Sequence, residues 1–94
     1  MEIVYLPSAV AGLDWFRRYY VQVFPEGEKR ASAQYEKMKK VLLAAPFAGH
    51  PTGEGDTREY VMPRTPFSII YRVRGEQIQV LLILDNRADR SPMT

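Results

Sequence analysis

A chain of 94 residues with 46% apolar and 26% charged side chains has room for one domain and too much core material to stay disordered. It holds no cysteine, which rules out a disulfide framework and leads us to expect a reducing, cytoplasmic setting. A net charge of +2 permits an anionic partner without requiring one. No apolar run approaches the roughly 18 residues of a membrane span, and MEIVYLPSAV lacks the basic and apolar stretches of a signal peptide.

Residues Ile3 to Leu6 form a short apolar run closed by Pro7, which suits a first strand. Pro7 then suits a helix start, because its missing N–H has no partner in a first turn anyway. Ala9, Leu13, Phe16, Tyr20 and Val23 follow at helical spacing, and Phe24-Pro25-Glu26-Gly27 ends the run. A second helix is expected from about Glu28 to Ala44, with Ala31, Tyr35, Met38, Leu42 and Ala45 on one stripe and Pro46 as the stop. Lys37, Lys39 and Lys40 suit its negative C-terminal end and read as a solvated face. So short a connection makes the two helices an antiparallel hairpin.

Pro46 to Asp56 reads as a Gly- and Pro-rich loop. The period then changes to two. Arg58 to Met62 is a strand closed by Pro63, and Phe67, Ile69, Tyr71 and Val73 alternate along the next. Arg74-Gly75-Glu76-Gln77 turns the chain into Ile78 to Leu84, apolar on both faces and therefore placed inside the sheet. The tail Asp85 to Thr94 is polar and too short for another helix. The order β-α-α-β-β-β predicts an α+β domain over residues 1–94, with an N-terminal helical hairpin on one face of an antiparallel sheet.

Two regions carry more apolar surface than this architecture consumes. On the first helix Trp15 and Tyr19 flank one side of the core stripe and Val10 and Val21 the other, leaving only Asp14, Arg18 and Gln22 as a polar strip. Either the helix packs on both the sheet and its neighbour, or Trp15 and Tyr19 help form a partner-binding surface. In the sheet, strict alternation turns Phe67, Ile69, Tyr71, Val80, Leu82 and Leu84 toward the helices and Ile70, Leu81 and Ile83 away from them. Three such side chains left in water would forfeit several kcal/mol, at about 1.5–3 kcal/mol each, so a tail, a second copy or another protein is expected to cover them.

The C-terminal half runs Arg58-Glu59-Tyr60, then Phe67-Ser68-Ile69-Ile70-Tyr71-Arg72-Val73, then Gly75-Glu76, Ile78 to Leu84, and Asn86-Arg87-Ala88-Asp89. In this order and spacing it resembles the RelE/ParE toxins of type II toxin–antitoxin systems. Pro7-Ser8-Ala9, Leu13, Tyr20, Leu42, Pro46 and Gly49 are similar to the family's hairpin signature. The resemblance implies a helical hairpin on an antiparallel sheet with the first strand at an edge. It also implies a hetero-oligomer with a cognate antitoxin that wraps the toxin, which would use the surplus apolar surface.

Two activities occur in the superfamily, ribosome-dependent mRNA cleavage and poisoning of DNA gyrase. Metal-independent RNA cleavage needs cations at the developing phosphorane and groups that move protons. In RelE-like nucleases these are lysines on the second strand, an arginine after the aromatic of the third, an arginine after the last strand and a tyrosine in the tail. Here the second strand has no lysine, the third-strand position is Ser68, and no tyrosine follows Arg87. Only Arg87 survives, so the resemblance is read as ParE-like: a growth-inhibiting gyrase poison of the plasmid-stabilisation type, with no catalytic residues. The alternatives are a ribosome-dependent nuclease using Arg72, Tyr71 and Arg87, and a decayed toxin that only binds a partner.

Single residues add less. His50 in Ala48-Gly49-His50-Pro51 reads as a surface residue, and without a second His or Cys no zinc site is expected. Gly53-Glu54-Gly55 lacks the Lys and Ser/Thr of a phosphate loop, and no cofactor is implied. Arg58 and Arg87, with Arg72 on the face of Ile70, suit the arginine-rimmed apolar patch of a protein-binding hot spot. The candidate binding set is thus Arg58, Arg72, Arg87, Trp15, Tyr19, Ile70, Leu81 and Ile83.

Overall fold

The expected elements form close to where the residue pattern puts them. The computed structural model describes residues 1–89. Strand β1 (Glu2–Tyr5) ends before Pro7, which opens a 3-10 turn (Pro7–Ala9) leading into α1 (Val10–Arg18). The first helix does not run on regularly to Val23: its last stretch, Tyr19–Val23, widens into a π-helical turn closed by the Phe24 N–H on the Tyr19 carbonyl (2.8 Å). A second 3-10 turn (Pro25–Gly27) starts α2 (Glu28–Ala44), which stops before Pro46 as expected. The strands β2 (His50–Pro51), β3 (Arg58–Val61), β4 (Phe67–Arg74) and β5 (Gln77–Asp85) follow, and a single helical turn, α3 (Asn86–Asp89), ends the described residues. Sequence patterning missed β2, a two-residue strand inside the loop, and α3. The rest of the expected tail, with Arg90 and Pro92, lies outside the described residues.

The sheet order is β1-β5-β4-β3-β2. Antiparallel pairing holds from β2 through β5, but β1 lies parallel to β5, with Ile3 opposite Ile78 and Tyr5 opposite Val80. The sheet is therefore mixed. Nearly the whole chain separates β1 from β5, so no hairpin forces the antiparallel sense. Strand β1 is an edge, as the resemblance implied.

One face of the sheet carries the helices. Phe67, Ile69, Tyr71, Ile78 and Val80 are fully buried beneath Ala9, Phe16, Tyr20, Ala31, Met38 and Leu42. Phe16 stands edge-on to Phe67 (5.0 Å between centroids) and stacks on Tyr35 (5.6 Å), so one ring ties α1 to both the sheet and α2. The Tyr5 and Tyr35 hydroxyls meet in a hydrogen bond. Gly12 brings the α1 backbone directly onto β5: a Cβ there would lie 2.3 Å from the Ile83 carbonyl oxygen.

The far half of β5 departs from strict alternation. Ile70 pairs with Leu82 but Tyr71 pairs with Val80, so Leu81 is an extra residue, a β-bulge. Its carbonyl takes a hydrogen bond from Ser8 Oγ (2.6 Å). The extra residue reverses the parity of everything after it. Ile83, expected on the uncovered face, is instead 7% exposed in the helix-side core, while Leu82, expected in the core, is 41% exposed on the open face.

Candidate functional site

The open face of the sheet keeps the surplus apolar surface. Leu81 and Leu82 at the bulge and Ile70 on β4 floor a broad depression of about 760 Å³, walled by Thr52, Glu54 and Thr57 of the loop before β3. Arg72, next on this face of β4, lays its Nε–H on Gln79 Oε1 (2.8 Å), so its charge borders the depression with its geometry fixed by a neighbour. Exposed Val61 extends the apolar patch along β3. On the same face Ser68 is fully buried. Its hydroxyl donates to Glu59 Oε2 (2.6 Å) and accepts from Asn86 Nδ2 (3.2 Å), while His50 Nε2 lies 3.5 Å from Glu59 Oε1.

Arg87 does not join this patch. The chain leaves β5 toward the helix side, because Asp85 sits opposite the buried Phe67. Asp85 accepts two bonds from the Arg87 guanidinium (3.0 and 2.7 Å), one from Arg87 N–H (3.1 Å) and one from Trp15 Nε1–H (2.9 Å). The Arg87 fork and the indole hold this carboxyl down to about 2, against the desolvation that would raise it. Arg87 also lies over the Tyr19 ring (4.3 Å) and donates to its hydroxyl (2.9 Å). Tyr19 itself is 7% exposed, in the core. Trp15 and Tyr19 are thus engaged in fastening the chain's exit from β5 to α1, and Trp15 is only partly exposed. Of the two explanations for the broad apolar arc of α1, packing accounts for this side. Val10 (49% exposed) and Val21 (69%) remain in solvent on the other.

Arg58 lies at the opposite end of β3, on the helix side, because its partner across the ladder is the buried Tyr71. One guanidinium nitrogen donates to both the Phe47 carbonyl (3.1 Å) and the Gly49 carbonyl (2.8 Å), and the group lies 5.1 Å from the Phe47 ring centroid. Tyr71 grips the same loop from below: its hydroxyl donates to the Pro46 carbonyl and accepts the Gly49 N–H, both at 2.8 Å. Burial pushes the Tyr71 phenol upward, so it remains a donor at neutral pH. Gly49 is required by contact: a Cβ would meet the Glu59 carbonyl at 2.7 Å and the Tyr71 hydroxyl at 2.8 Å. Phe47, a residue that periodicity passes over in a loop, stands 63% exposed at this corner.

The three groups considered for RNA cleavage are therefore apart. Tyr71 points into the core under the helices, Arg72 points to the open face, and Arg87 is held beside Tyr19 beyond the far end of β4. Ser68 is sealed between Glu59 and Asn86.

Residues 3–90 match the family model described as the ParE toxin of type II toxin-antitoxin system, parDE. The chain belongs to the ParE toxin family. Among solved structures it is similar to a chain of a chromosomal ParDE toxin–antitoxin system from P. aeruginosa, at 32% identity and a TM-score of 0.66, covering 88% of this chain and 92% of that one. No curated protein matches it. The ParE toxin fold here thus presents two unlike surfaces, a concave apolar sheet face beside Arg72 and a convex corner at Phe47 and Arg58. Membership of a toxin–antitoxin family implies an antitoxin as partner. Among the described residues no helix is long and apolar enough to cross a membrane.

Proposed function

We propose that this ParE toxin poisons DNA gyrase in the cytoplasm and is neutralised by a cognate antitoxin that lays an apolar segment across the open sheet face. The observation that carries the antitoxin half is the depression floored by Ile70, Leu81 and Leu82: an apolar concavity of this size in solvent marks a binding surface. An extended or helical segment fits it by strand-addition or helix-in-groove packing, with Arg72 placed to pair with a carboxylate of that segment. The gyrase half is supported by the family match together with the dispersal of Tyr71, Arg72 and Arg87, which leaves no two of them facing a common phosphate.

The test combines purified toxin with gyrase and supercoiled plasmid, and in parallel with ribosomes programmed with mRNA. Linear plasmid with intact message is the expected result, and added antitoxin should suppress it. Cut message with unaffected gyrase would overturn the reading. Antitoxin binding that survives Leu82→Asp and Ile70→Asp would remove the sheet face from it.

A further inference from the structure

We propose that Phe47, held out of the fold by Arg58 and Tyr71, is the knob with which the toxin engages its folded target, in a pocket that is apolar within and carries carboxylates at its rim. The proposal rests on the preceding reading for the identity of that target, gyrase, and on the following geometry for the surface. A large ring 63% exposed at a loop corner contributes little to the fold that holds it. Yet the corner is fixed by five hydrogen bonds. Arg58 makes two, to the carbonyls of Phe47 and Gly49; Tyr71 makes two, to Pro46 and Gly49; and the Ala48 N–H closes a turn on the Ala45 carbonyl (3.0 Å). Gly49 lets the loop sit down on Tyr71 at a distance no side chain would tolerate. A loop fixed in advance loses little conformational freedom on binding, which is where a binding aromatic gains most affinity.

Chemistry and shape select the partner. Leu43, in the last turn of α2 just before this corner, is 47% exposed and adds apolar surface. The last turns of α2 carry Lys37, Lys39 and Lys40, of which Lys39 is paired with Glu36 (3.1 Å), and Arg58 adds a guanidinium against the ring. An aromatic beside an arginine in a positive surround is complementary to an apolar pocket with an acidic rim. A protruding knob needs a preformed cavity, which a folded enzyme offers. An extended antitoxin segment suits the concave sheet face instead, so the two partners are assigned to separate surfaces.

The experiment compares wild type, Phe47→Ala, Phe47→Lys and Phe47→Glu for gyrase-dependent plasmid linearisation, antitoxin affinity and thermal unfolding. With the ring in solvent, all should fold like wild type. Phe47→Ala should need at least about tenfold more toxin for half-maximal linear product, the loss typical of a hot-spot aromatic. Phe47→Glu should be worse than Phe47→Lys, while antitoxin affinity stays within about threefold. Wild-type potency in Phe47→Ala would overturn the proposal, and equal losses for Glu and Lys would overturn the acidic rim. An equal loss of antitoxin affinity would overturn the separation of surfaces. Should wild type leave gyrase untouched, the target reading fails by itself. Growth arrest by the same variants then decides the knob: arrest lost with Phe47→Ala supports it, and arrest kept overturns it.

Discussion

Gly12→Ala is a substitution for which local and tertiary physics predict opposite signs. In the first turn of α1, alanine in place of glycine favours the helix by up to about 1 kcal/mol. But the added methyl would lie 2.3 Å from the Ile83 carbonyl oxygen and 3.0 Å from Ile83 Cβ, where ordinary contact begins near 3.4 Å. The obstacle is backbone in the bulged half of β5, braced by the Ser8 bond to the Leu81 carbonyl and paired across to Ile69, so it cannot swing aside as a side-chain tip would. Relief requires α1 to rise by about 1 Å, loosening Phe16 and Ala9 over the sheet, and overpacking of this kind costs about 1–3 kcal/mol. Contact wins over propensity because a backbone oxygen offers no alternative rotamer. We expect a net loss of about 1–2 kcal/mol, read as a lower urea midpoint at unchanged slope, and a melting temperature lower by about 5–15 °C for a domain of this size. A variant more stable than wild type would refute the close approach of α1 to β5.

Three further outcomes follow from the geometry. Tyr71→Phe leaves the Pro46 carbonyl and the Gly49 N–H without their partner and should cost about 1–3 kcal/mol in urea unfolding; a loss under about 0.5 kcal/mol would mean water replaces the hydroxyl. Asp85 is held at about 2 when folded and lies higher when unfolded, so its contribution, about 2 kcal/mol, is complete above pH 5 and disappears as the pH falls toward 2. Wild type should therefore exceed Asp85→Asn in stability at pH 7 and converge with it near pH 2, and a gap constant with pH would refute the Asp85–Arg87 assignment. Arg64 sits at φ 64° in the turn between β3 and β4, a conformation costing a side chain about 1–2 kcal/mol. Arg64→Gly should therefore leave stability unchanged or raise it by up to about 1 kcal/mol, after the extra freedom of the unfolded chain is deducted; a lower melting temperature would contradict this.

The elements legible in the sequence are those whose information is local. The stripe Ala31, Tyr35, Met38, Leu42 placed α2 at its observed bounds, and Pro7 and Pro46 marked real boundaries. The π turn at Tyr19–Val23 was not legible, because widening by one residue per turn leaves the apolar spacing nearly intact. Strand β2 escaped because two residues, one of them proline, carry no period; they pair only because β3 passes beside them. The sense of β1 is a property of contacts between residues some seventy-five apart. Among candidate site residues, Ile70, Leu81 and Arg72 lie on the open face as alternation proposed. Arg58 and Arg87 point elsewhere, since a residue at a strand end takes its direction from its ladder partner, Tyr71 in one case and the Asp85–Phe67 pair in the other. Phe47 had one available signal: an aromatic between Pro46 and Gly49, too short a loop to bury it.

The bulge at Leu81 connects the fold to the binding surface. Six apolar residues from Ile78 to Leu84, interrupted only by Gln79, cannot all be covered by two helices lying on one face. With strict alternation Leu82 and Leu84 would enter the helix side while Ile83 stood on the open face opposite Ser68. The extra residue reverses this. It seats Ile83 under Gly12, where α1 approaches closely enough to cover it, and sends Leu81 and Leu82 together to the side of Ile70. Two adjacent leucines on one side make a broader apolar floor than alternation could supply, at about 1.5–3 kcal/mol for each side chain once a partner fully buries it. That free energy is unavailable to the isolated toxin and becomes available on binding, so the bulge moves stability out of the monomer and into the complex. Deleting Leu81 should therefore weaken a segment bound on this face even where the domain still folds, because the ladder would close up with Leu82 still opposite Ile70 and Ile83 still opposite Ile69, and the floor would lose one of its two adjacent leucines.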